Sequence, residues 1–315
     1  MRTLLAIVLT CAALGAASCG SRPEVGVQVD PGLQRLVPPD AVVLAGVDLE
    51  KLEKSPLYRR YEGQLDQAKL DAVTERFGID PRRDVTAVLI TANAKQRIAL
   101  ARGRFTQQQL EPKFQSLRMR RTTYRGHTLF GDAQNSLTFA AKDVIAAGST
   151  KAVRDLVDRM EKGHGGIPEG LRTRLAALPK DDTVWVVSDG GLPLTGVPLR
   201  QDVQSALSNI EGLVSGVTAG AAVDNGVRFQ ADFDCISIEA AQRVHDALRG
   251  GIGLARLTTN DNALDMLRLY DSIKISKGDK QVHVRADLSS DLTDKVWAHV
   301  PQLMQHAHQA LQNGE

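Results

Sequence analysis

The chain has 315 residues, with 39 Lys and Arg against 37 Asp and Glu, 43% hydrophobic residues and 24% charged ones. This composition supplies enough apolar mass for a sizeable core and excludes collagen-like, mucin-like and wholly disordered chains. A net charge of +2 gives no basis for bulk binding to nucleic acid, and 4% aromatic residues leave few platforms for stacking bases or sugar rings.

The chain opens with a short positive region at Arg2, followed by apolar and small residues from Leu4 to Ala17. Gly15, Ala16, Ala17 and Ser18 then lead to Cys19. This is the layout of a secretory signal peptide, too short for the roughly 20 apolar residues of a membrane-spanning helix. The stretch Leu14-Gly15-Ala16-Ala17-Ser18-Cys19 resembles the lipobox of bacterial lipoprotein precursors. It departs from that pattern at Ala16, where the family prefers Leu. The resemblance implies cleavage after residue 18, diacylglyceryl modification of Cys19 and an exported, lipid-anchored protein. Gly20 is not an aspartate-type retention signal, so the resemblance also implies outer-membrane placement facing the periplasm. The alternative is a plain cleavable signal followed by a chance cysteine. With Cys11 in the leader and Cys19 lipidated, Cys235 is the one thiol left, which rules out an internal disulfide framework. It sits at a strand end and reads as a buried, inert cysteine.

Residues 19–39, with Pro23, Pro31, Pro38 and Pro39, read as a lipidated cysteine and flexible tether, with order beginning at Ala41. A first half follows over 40–178. Val42–Val47 is a strand, and apolar spacing from Pro56 to Phe77 predicts one long helix. Val85–Thr91 and Arg97–Arg104 form a hairpin, and Thr106 caps a helix. Four short strands lie between Met119 and Ala147, and Ser149-Thr150 caps another helix. The second half, 179–315, repeats this grammar, with a helix at about 199–210. A hairpin turns at Asp224-Asn225-Gly226 and is followed by a helix capped by Ser237. Another turns at Lys277-Gly278-Asp279-Lys280, before a last helix from Ser289-Ser290. The order predicts an α+β fold of two similar halves, each a mostly antiparallel sheet with helices on one face. This arrangement resembles exported bacterial proteins of unknown function in which similar halves follow a lipoprotein leader.

No catalytic signature stands out, and no cofactor is implied. There is no phosphate-cradling G-x-x-x-x-G-K-[ST], no G-x-S-x-G and no S-x-x-K, and Gly250-Gly251-Ile252-Gly253 stops short of a dinucleotide loop. His299, His306 and His308 lack the i, i+4 spacing of a helical zinc site, and no metal ligand set is assigned. Asp232 and Asp234 share a strand face and read as an outward polar edge.

One charge feature is unusual: Lys95 to Arg125 holds nine basic residues and one acid, Glu111, a local net of +8. Arg102, Arg104, Arg118, Arg120, Arg121 and Arg125 are therefore candidates for a patch contacting an anionic envelope component, a lipid head group or cell-wall polymer. The alternative is a solvated face balanced by acids from elsewhere. Three function classes follow: a non-enzymatic lipid-anchored binding or structural protein, a carrier with an apolar cavity, and an envelope hydrolase. The first is the one the sequence favours.

Overall fold

The computed structural model describes residues 26–192, 210–260 and 263–297. The leader, Cys19, residues 199–209 of the expected helix, and His299, His306 and His308 lie outside those residues. The strands are β1 (Val43–Asp48), β2 (Val85–Ala92), β3 (Arg97–Gly103), β4 (Arg120–Tyr124), β5 (His127–Gly131) and β6 (Asn135–Ala141). They continue as β7 (Val144–Ser149), β8 (Val184–Ser188), β9 (Val214–Val223), β10 (Val227–Cys235), β11 (Ile273–Lys277) and β12 (Gln281–Leu288). All twelve form one α+β sheet in the order β11-β12-β10-β9-β8-β1-β2-β3-β7-β6-β5-β4, every neighbouring pair antiparallel.

The two sets of strands do not close into separate sheets. They meet edge to edge where β1 pairs with β8, Val47 opposite Val184 and Val43 opposite Ser188. Outward from that seam, β1-β2-β3-β7-β6 and β8-β9-β10-β12-β11 follow the same order of connections. Four hairpins are each followed by a Ser- or Thr-capped helix. Helices α5 (Gln107–Ser116), α6 (Thr150–Lys162) and α8 (Ile238–Thr258) are capped by Thr106, Ser149 and Ser237. The helical stretch at 290–297 has the Leu292 N–H on the Ser289 hydroxyl. Thr106 and Gln109 complete a capping box, which satisfies two otherwise unpaired donors of the first turn.

Helices lie on both faces of the sheet, not on one. Strands such as β1 and β2 are almost continuously apolar, the pattern of strands that need cover on two sides. On one face, α6 and α7 (Glu169–Ala177) bury Ala152, Leu156, Leu171 and Leu175 against Leu44, Leu89, Leu100, Val144 and Trp185. On the other, α5 seats Leu110 and Phe114 against Phe130, Phe139 and Ile145 at one wing. There α8 packs Ala240, Ala241 and Val244 against Val217, Ala231 and Val282 at the opposite wing.

Two further expectations are corrected. The long helix over Pro56–Phe77 is broken into α3 (Pro56–Tyr61), a 3-10 turn (Glu62–Gln64) and α4 (Gln67–Phe77). Asp66 caps α4 by accepting the Lys69 N–H, so a local side-chain cap competes successfully with continued helix. The tether does not extend to residue 39. Residues 26–41 form a strap across the α7 face, with α1 (Pro31–Gln34) at its centre and Val27, Val29, Leu33, Leu36 and Val37 buried. Asp30 caps α1 and also receives Arg102 at 3.0 Å, which pins the strap to β3. A further helix, α9 (Leu264–Ser272), precedes β11 where no helix is expected, and its last two residues, Asp271 and Ser272, are helical and not the start of the strand.

Candidate functional site

A single register row crosses the whole sheet on the strap face. From the seam toward the first wing it holds Gly46, Leu89, Leu100, Ala146, Thr138 and Leu129. From the seam toward the second wing it holds Trp185 and then Gly220, Gln230, Arg285 and Lys274. Apart from Thr138 the row has no polar side chain as far as Trp185, and beyond Gly220 it is polar. The neighbouring row behaves alike, running from Leu44 and Val187 to Thr218, Asp232, His283 and Ser276. In the first wing this face is core under α6; in the second it is a half-buried polar surface.

That surface is ordered by charged contacts. The Asp232 carboxylate takes His283 Nδ1 at 2.7 Å and Arg285 Nη2 at 2.8 Å. Arg285 Nη1 also donates to the carbonyls of Val284 and Ala231. Arg174, on α7, bridges Asp189 and Asp234, the latter at 2.5 Å, and Gln281 donates to the other Asp234 oxygen at 2.7 Å. The small residues of this face make room for these groups: a Cβ at Gly216 would overlap the Arg174 guanidinium.

Two open clefts border the network. One, of about 410 Å³, lies over Arg174, Asp189, Asp232, Asp234 and His283. The other, of about 510 Å³, is lined by Asp181, Asp182, Arg228, Gln230, Lys274 and Arg285 among others. Asp182 is only 3% exposed and accepts a hydrogen bond from Gln230 Nε2 at 3.3 Å. Burial, and then the neighbouring Asp181 charge, push its carboxyl up to about 6. Below about pH 6 it is thus protonated and able to donate as well as accept, and at neutral pH it is mainly an acceptor. Most residues around both clefts are charged or polar, with Pro179, Phe229 and Ala286 adding apolar surface to the larger one and Ala177 to the smaller.

The six arginines singled out in the sequence are not brought into one contiguous patch. Arg102 lies on β3, and Arg120 and Arg121 on β4, with β7, β6 and β5 between them, about 19 Å at ordinary strand spacing. Arg102 is engaged by Asp30 at 3.0 Å and Asp143 at 2.7 Å. Arg121 pairs with Glu111 at 2.9 Å across α5, and Arg125 with Asp158 at 2.5 Å on α6. Arg121 and Arg120 project to opposite faces, since they are successive strand residues. Arg104, Arg118 and Arg120 are exposed and make no ion pair among the described residues, but Arg104 lies in the field of Glu50 and Glu53. Arg118 and Arg125 both adopt positive φ, 55° and 47°; Arg125 with Gly126 makes the two-residue turn of the β4–β5 hairpin.

Cys235 is a buried free thiol, and burial followed by the Asp234 charge pushes its pKa up, the opposite of an activated nucleophile. Asp232 and Asp234 face the network and are each occupied by cationic or amide donors, so they do not flank an open cation site. Among the described residues no group of three or more His, Cys, Asp or Glu is placed to hold a metal. Asp182, Gln230, Lys274, His283 and Arg285 were not singled out in the sequence. Their signal was there as period-two polarity on β10 and β12, but alternation alone reads as a solvent-facing side.

No family model matches the chain, and no curated protein matches it. Its fold is similar to solved structures of the Treponema protein TP0453. Crystal form I aligns with a TM-score of 0.48 and crystal form III with 0.49, each at 12% identity over 85% of this chain and 97% of that one. Among the described residues no helix is long and apolar enough to cross a membrane.

Proposed function

We propose that this is a lipid-anchored cell-envelope protein with a non-enzymatic binding role, attached to the membrane through Cys19 and facing the periplasm. The observation that carries the reading is the distance between anchor and fold. Val27, already buried in the core, stands eight residues after Cys19, a link of at most about 29 Å. A lipidated Cys19 brings two acyl chains, and each buried CH₂ contributes about 0.8 kcal/mol, which suffices for stable anchoring. The body then sits close to the bilayer while remaining in water. The charged groups of the second wing's polar face support binding of a polar ligand there. The absence of a nucleophile–base pair from the sequence motifs supports binding over hydrolysis. The anion-contacting role given to the arginine stretch narrows to Arg118 and Arg120, which form no ion pair with a described acid, since Arg104 lies in the field of Glu50 and Glu53.

The test is metabolic labelling with palmitate. The wild type takes up label and partitions with detergent, whereas Cys19→Ala does neither. Label retained by the variant, or a wild type recovered as free soluble protein, overturns the anchor.

A further inference from the structure

Lys274 and Arg285 are direct partners in the β11–β12 ladder and project to the same face. Cβ atoms of such a pair lie about 5 Å apart, and like charges so placed repel. Arg285 is drawn toward the next row by Asp232. Lys274, exposed on the edge strand, has no ion-pair or hydrogen-bond partner for its ammonium among the described residues.

Both residues line the 510 Å³ cleft, together with Arg228, and the carboxyl groups of Asp181, Asp182 and Asp287 complete it. Arg228 is paired with Asp181, and Asp287 is its direct partner on β12. An opening with cations on one side, carboxyl groups beside them and one cation unengaged suits a ligand that carries both signs. A bare polyanion would meet the three acids, and a bare cation the three bases.

The position of the cleft is equally specific. Gly26 packs against Leu175 and Ala176, and the Val27 N–H donates to the Leu175 carbonyl at 3.2 Å. From Leu175 the chain runs straight into Pro179, Asp181 and Asp182, the wall of the cleft. Seven residues join Cys19 to Gly26, at most about 25 Å of chain. In an anchored protein this wall therefore stands within reach of the phosphate layer of the bilayer.

We propose that the cleft binds a phosphate-bearing zwitterion, the phosphoethanolamine group being its simplest form, with the phosphate on Lys274 and Arg285 and the ammonium among Asp181, Asp182 and Asp287. The source is either a membrane lipid head group or a soluble phosphoester of the same chemistry. The recognition of the zwitterion rests on the binding role proposed above; the anchor bears only on whether its source is the membrane. A chain that takes no palmitate but binds sinks the anchor alone, and one that is labelled but does not bind sinks the cleft alone.

The test is calorimetric titration of the full chain, in neutral detergent, with sn-glycero-3-phosphoethanolamine. Saturable binding is expected, with inorganic phosphate or ethanolamine alone each about tenfold weaker or worse. Lys274→Gln weakens binding by about tenfold or more, while its melting temperature stays at or above that of the wild type, since a repulsive pair has been removed. Phosphatidylethanolamine vesicles that compete for the site identify a lipid source; vesicles that do not, beside a soluble ligand that binds, identify a soluble one. No saturable binding by the wild type, or Lys274→Gln binding within about twofold of it, overturns the proposal.

Discussion

Gly220 stands directly against the Asp182 carboxylate: a Cβ on residue 220 would overlap Oδ2. The glycine lies mid-strand on β9, opposite Gln230 and Trp185, at the point where the register row turns from apolar to polar. A strand interior is a costly place for glycine, so the position is explained by the carboxyl it admits. Gly220→Ala should therefore destabilise the protein by about 1–3 kcal/mol through overpacking. Gly250→Ala, in α8 where an added Cβ meets nothing, should stabilise it by about 0.5–1 kcal/mol. Urea denaturation of the two variants checks both signs, and a neutral Gly220→Ala would mean that Asp182 does not occupy this space.

Asp182 also sets a pH dependence. Its folded pKa of about 6 lies above the ordinary 3.8, so between those values the native state keeps a proton that the unfolded chain has released. The group's contribution to stability is therefore complete below about pH 4 and is lost as pH rises through 6. At about 1.4 kcal/mol per unit, reduced for the part of the site open to solvent, the loss is about 1–3 kcal/mol. Asp182→Asn should match the wild type at pH 4, exceed it in stability at pH 8, and show a flatter profile between. Equal pH profiles for the two proteins would contradict the raised pKa.

The strap is part of the core, so its side chains should matter as core side chains do. Leu33 is 2% exposed, between α7 and the sheet. Leu33→Ala should cost about 2–5 kcal/mol by equilibrium unfolding. A change below about 0.5 kcal/mol is what a flexible tether would give.

For the basic stretch, sedimentation with anionic vesicles at low salt separates the roles of its members. Exchanging Arg118 and Arg120 for Ser should weaken co-sedimentation, and added salt should abolish the difference, because both are exposed. Exchanging Arg102 for Ser should leave vesicle binding unchanged but lower stability, since it frees Asp30 and Asp143 from their shared partner. Unchanged sedimentation in the first variant removes Arg118 and Arg120 from any envelope contact.

What was legible in the sequence is what local chemistry dictates. The hairpins around Asn93–Gln96, Asp224–Gly226 and Lys277–Lys280 and the caps at Thr106, Ser149 and Ser237 depend on residues within a few positions of one another. They therefore stand where the sequence puts them, and with them the α+β class. Three features were decided by contacts far apart in the chain. The strap is proline-rich and reads as linker; α7, placed some 140 residues later in sequence, and the sheet together provide the apolar face that orders it, with Arg102 on β3 holding Asp30. The arginines from 102 to 125 are one block in sequence but several sites in space, because β5, β6 and β7 separate β3 from β4, and the β6–β7 turn and α6 bring Asp143 and Asp158 to neutralise two of them. The polar face exists because antiparallel registry aligns Gly220, Gln230, Arg285 and Lys274 across four strands. Alternation tells which residues of a strand share a side, but pairing alone decides whether that side meets a helix, water or a ligand.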